Sequence, residues 1–113
     1  RSLPPTPEPY RNDKALAEVQ GARKRFDKDT DLAVQEATIL WARGDQTAPM
    51  SIIEEVRKSA AGKTDVLLQV AEFYQRAKRY PDAEAVLREA LALEPKNLRV
   101  LFQLGASIER QSL

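Results

Sequence analysis

Laid against itself with an offset of 34 residues, this sequence brings like residues into register, and few folds permit that. Leu67, Ala71 and Tyr74 fall on Leu101, Gly105 and Ile108 one period later, and on Ala33, Ala37 and Leu40 one period earlier. Ala83, Leu87 and Ala90 fall back on Pro49, Ile53 and Val56, then on Ala15, Val19 and Ala22. Each set steps by four and then three, which places it on one face of an α-helix. Two such faces per period, with a break between them, predict a pair of helices that buries its apolar stripe only by stacking on the next pair.

The breaks are legible too. Helices are expected over about 12–26, 30–43, 49–60, 64–78, 81–93 and 98–111. Asn12 or Asp13 can cap the first, which carries Ala15, Leu16, Val19, Ala22 and Phe26 at helical steps. DKDTD at 27–31 separates it from the second, with Leu32, Ala33, Ala37, Leu40 and Trp41, and Gly44 is a C-terminal stop. Pro49 suits the first turn of the third helix, with Ile52, Ile53 and Val56 inward. AGKTD precedes the fourth, with Val66, Leu67, Val70, Ala71 and Tyr74. EPKN at 94–97 divides the fifth from the sixth, and the sixth carries Leu101, Leu104, Gly105 and Ile108. Connections this short force neighbouring helices antiparallel. RSLPPTPEPYR at the start holds four of the seven prolines and reads as an extended linker over 1–11.

In its best unit the pattern is Leu67-x2-Val70-Ala71-x2-Tyr74, then Ala83-x3-Leu87, then Pro95; the next half-unit continues with Leu101-x2-Leu104-Gly105-x2-Ile108. This resembles the tetratricopeptide repeat. The resemblance implies an all-α, right-handed solenoid of antiparallel helix pairs over 12–113: a half-unit at 12–29, units at 30–63 and 64–97, and a half-unit at 98–113. Residues 64–111 fit the pattern well. Unit 30–63 departs from it, with Glu36 at an apolar position and Pro49 at a small one.

Composition narrows the chemistry. The 113 residues include 42% hydrophobic and 31% charged residues but no cysteine and no histidine, so the commonest general base and thiolate metal ligands are absent. A net charge of +1 gives no general attraction to nucleic acid or anionic membrane, and no apolar run reaches the roughly 20 residues of a bilayer span. A start at Arg1, without methionine, reads as a processed or excised product. Gly62-Lys63-Thr64 matches the tail of a phosphate-binding loop, but Arg57 stands at its leading glycine and no strand precedes it. Asp27, Asp29 and Asp31 alternate like a calcium loop, yet Leu32 and Thr38 occupy the glycine and closing glutamate positions; helix capping is the better account. Arg23, Lys24 and Arg25 are the cations expected in a helix's last turn. No cofactor, metal, small-molecule substrate or nucleic acid is expected, and no catalysis.

The resemblance also implies a concave groove, lined by the first helix of each unit, that binds peptide segments. By register it presents Val34, Thr38 and Trp41, then Leu68, Glu72 and Arg76, then Arg99 and Phe102. Trp41, Leu68 and Phe102 lie off the core stripe, as anchors for a peptide or as packing between repeats. The family's clamp for a C-terminal carboxylate falls on Val34, Thr38, Gln69, Arg99 and Gln103, where Arg99 alone carries a suitable charge, so a chaperone-tail receptor is not expected. The expectation is a protein-binding scaffold or adaptor. Its rival is a self-associating segment of a larger assembly, with homo-oligomers formed through the last helix.

Overall fold

The computed structural model describes residues 13–60 and 62–112. Within them the chain forms α1 (Asp13–Arg25), α2 (Thr30–Ala42), α3 (Ala48–Ser59), α4 (Thr64–Arg76), α5 (Tyr80–Leu93) and α6 (Leu98–Gln111), and no strand is found among the described residues. The fold is all-α, built from helix pairs. The expected linker over 1–11 and the cap at Asn12 lie outside the described residues. Two compact units divide the chain, one reaching Val56 and the other beginning at Arg57, and α3 runs across the division.

The breaks repeat with the same period as the helices. Asp29, Lys63 and Asn97, each 34 residues from the next, are the N-caps of α2, α4 and α6. Asp29 Oδ1 accepts from the Leu32 N–H at 3.3 Å, and Asn97 Oδ1 from the Val100 N–H at 3.2 Å. Lys63 holds the same extended backbone, φ −118° and ψ 96°, but offers no side-chain acceptor. Helices α2 and α4 also end alike. The Gly44 N–H donates to Trp41 O and the Asp45 N–H to Leu40 O, both at 3.0 Å. The Lys78 N–H donates to Gln75 O at 3.0 Å and the Arg79 N–H to Tyr74 O at 2.7 Å. This pair of hydrogen bonds needs a left-handed residue just past the cap. Gly44 supplies it at φ 98°, as the sequence predicts, and Lys78 at φ 60°. A lysine there carries about 1 kcal/mol of backbone strain that glycine avoids.

In the first unit α1 packs on α2. Glu36, out of place by the repeat pattern, is buried. It is matched: Arg23 Nη1 donates to its Oε1 at 2.6 Å and Gln20 Nε2 to its Oε2 at 3.1 Å. A carboxylate can sit at an apolar position only when so partnered. Arg43, past the end of α2, pairs with Asp13 at the start of α1. Asp45 Oδ1 accepts from the N–H groups of Thr47 and Ala48, at 2.9 and 3.1 Å, satisfying amides at the start of α3. Pro49 occupies the second position of α3 and is buried, as are Ile53 and Val56. Two expectations fail here. Phe26 is not core: it lies beyond the end of α1, exposed, with the Arg25 guanidinium 5.8 Å from its ring centre. Ile39 replaces Leu40 and Trp41 as the buried residue of the last turns of α2, and the latter two are half-buried.

In the second unit α5 packs on both α4 and α6. Ala83, Leu87 and Ala90 on α5 have no exposed surface, and Leu67, Val70, Ala71, Phe73 and Tyr74 on α4 are buried. The small residues permit close approach of the helices, while Leu87 and Tyr74 fill the remaining space. On α6 the buried residues are Val100, Leu104 and Ser107. Leu104 is thus covered within the unit, whereas Leu101 and Ile108 are 42% and 40% exposed. Polar ties fix the pairing. Arg57 Nη2 donates to Glu89 Oε2 at 2.7 Å, which raises the arginine pKa. Gln111 Nε2 donates to Glu84 Oε1 at 2.7 Å and Arg88 Nε to its Oε2 at 2.9 Å, and these bonds hold the Glu84 carboxyl below the ordinary carboxylate range.

Candidate functional site

Helices α4 and α6 are one period apart. Between them lies an open cleft of about 380 Å³, lined by Glu72, Gln75 and Arg76 of α4, Tyr80 of α5, and Gln103, Ala106 and Arg110 of α6. Four of these form two register pairs: Arg76 with Arg110 and Glu72 with Ala106. The helices are tied by Gln75, whose Nε2 donates to Ser107 Oγ at 2.8 Å and to Gln103 O at 3.4 Å. Glu72 Oε2 stands 3.7 Å from Arg99 Nη2. Arginines outnumber the single carboxylate around the cleft. Such a rim suits a partner bearing acidic side chains or backbone carbonyls, and guanidinium groups can grip a carboxylate through two parallel hydrogen bonds.

The structure brings together part of the set read from the sequence. Glu72 and Arg76 line the cleft, Arg99 stands beside Glu72, and Phe102 lies one turn before Ala106 with 75% of its surface exposed. Leu68 is corrected. At 3% exposure it belongs to the core and cannot touch a ligand without a rearrangement of α4. Val34, Thr38 and Trp41 sit on α2 in the first unit, all half-buried. The Thr38 hydroxyl donates to Val34 O at 2.8 Å, so its proton is engaged within its own helix. Sequence reasoning missed Arg110 and Tyr80. Arg110 was within reach, since it follows Arg76 by one period. Tyr80 opens α5, where the periodic argument assigns no groove position.

A second cleft, about 340 Å³, lies in the first unit between α1 and α2. Ala15, Val19 and Ala22 form one wall and Leu32 and Ile39 the other, with Glu18 and Gln35 at its edges. It is mainly apolar. Among the described residues no three acidic side chains are grouped to hold a metal ion, and no helix is long and apolar enough to cross a membrane.

Comparison with known proteins agrees with this geometry. Residues 64–107, which span α4, α5 and most of α6, match the family model described as Tetratricopeptide repeat. No curated protein matches the chain.

Proposed function

We propose that this tetratricopeptide repeat chain is a non-catalytic scaffold or adaptor that holds a segment of a protein partner on the α4–α6 face. Repeats of this family mediate protein–protein interaction. The observation that carries the finer reading is the open α4–α6 cleft lined by Arg76 and Arg110, with Phe102 exposed on α6 one turn before the lining residue Ala106. An exposed aromatic beside fixed charges offers an apolar anchor and a means of orientation. The face is preformed, because Gln75 and the α5 core hold α4 and α6 in place, so a partner need order little of the receptor on binding. The partner segment carries one aliphatic or aromatic side chain for Phe102, with Asp or Glu nearby for the arginines. Val34, Thr38 and Trp41 on α2 form the corresponding face of the first unit.

Selection from a displayed library of random peptides tests this. Wild-type protein should enrich sequences with an apolar residue flanked by acidic ones. Phe102→Ala should weaken the selected peptides by about 10-fold or more, in line with loss of an anchor residue. Arg76→Glu should abolish the acidic preference. Failure to enrich any peptide, or equal binding by both variants, rejects the groove.

A further inference from the structure

Two arginines lack an acidic partner among the described residues, and both line the α4–α6 cleft. Every other described arginine is engaged. Arg23 pairs with Glu36, Arg43 with Asp13, Arg57 with Glu89, Arg79 with Asp82 and Arg88 with Glu84. Arg99 stands beside Glu72, and the Arg25 guanidinium lies over the Phe26 ring. That leaves Arg76 and Arg110, one period apart on α4 and α6.

The position one turn before each arginine sets the charge of the cleft walls. On α6 it is Ala106, which brings no carboxylate. On α4 it is Glu72, whose Oε2 faces Arg99 Nη2 at 3.7 Å, so a third arginine already offsets its charge. Two more donors line the cleft, the Tyr80 hydroxyl and the Gln103 side-chain amide. Neither has a hydrogen-bond partner among the described residues. Gln75 differs, since its amide is spent on Ser107 and on the Gln103 carbonyl.

These donors exceed what one carboxylate can take. A carboxylate carries a single negative charge and is matched by one guanidinium fork. Two guanidinium groups facing one cleft call for a second negative charge. A phosphorylated side chain brings about two, on three strongly accepting oxygens.

We infer that the cleft takes a phosphorylated side chain of the partner segment. Arg76 and Arg110 hold the phosphate, and the Tyr80 hydroxyl and Gln103 Nε2 donate to its remaining lone pairs. This rests on the peptide-binding reading of the cleft and names the group that the arginines recognise there. Phe102, exposed on α6, contacts an apolar residue beside the phosphate, which makes the ligand a peptide and not a free ion.

Fluorescence anisotropy of the full chain with three degenerate peptide libraries tests this, the libraries differing only in a central phosphoserine, glutamate or serine. The phosphoserine library should bind about 10-fold tighter than the glutamate library, or more. Arg76→Gln and Arg110→Gln should each weaken phosphoserine binding about 10-fold with unchanged helical circular dichroism. Arg76→Lys should recover only part of that loss, because lysine keeps the charge but not the fork. Phe102→Ala should weaken all three libraries alike. Phosphoserine binding no tighter than glutamate, with both still weakened by Phe102→Ala, overturns the phosphate and leaves the peptide groove standing. Binding of no library overturns both. Inorganic phosphate that displaces the phosphoserine library at equal concentration overturns the peptide as the source of the phosphate. Vesicles with phosphorylated lipid headgroups that compete equally well do the same.

Discussion

At Lys63 the backbone already has the conformation of a capping residue, while the side chain has nothing to accept with. Asp29 and Asn97 at the equivalent positions each accept a bond from the amide three residues on. Lys63→Asn should therefore stabilise the chain by about 1 kcal/mol, raising Tm by about 4 °C in a thermal melt. Asn97→Ala should lower it comparably. No gain from Lys63→Asn would show that the amides at the start of α4 are already satisfied. Single residues were also where the sequence was least legible. Leu68 and Phe102 stand one period apart and are both large and apolar, yet one is enclosed and the other open. Periodicity assigns a residue to a face of its helix. It does not say whether another element covers that face.

Helix α2 shows how an element absorbs a break in its pattern. Glu36 stands where the repeat calls for an apolar side chain, and Arg23 and Gln20 of α1 turn that fault into the tie between the two helices. Removing only one partner leaves a buried carboxylate under-bonded, so Arg23→Ala should cost about 1–3 kcal/mol. Glu36→Leu removes the charge itself and should be neutral or stabilising, since apolar packing often replaces a buried ion pair without loss. Urea unfolding of both variants checks the pair, and equal losses would mean that the ion pair contributes more than it costs to desolvate. Helix limits were readable from the sequence to within two residues, because caps and stops are local chemistry: Asp29, Gly44, Pro81 and Asn97 act where their residue types predict. The Glu36 tie was not readable, since Arg23 looked like an ordinary cation in a last helical turn.

Across the whole chain the 34-residue period makes a construction test possible. Joining Leu113 of one copy directly to Asn12 of another keeps that period unbroken and places α1 of the second copy where the helix after α6 is due. Repeat arrays gain stability from each new contact between neighbours. Such a tandem chain should melt higher than the single copy, by about 2–4 °C for each 1 kcal/mol the new joint supplies. A tandem that melts no higher would mean that α1 of the second copy does not seat against α6 of the first.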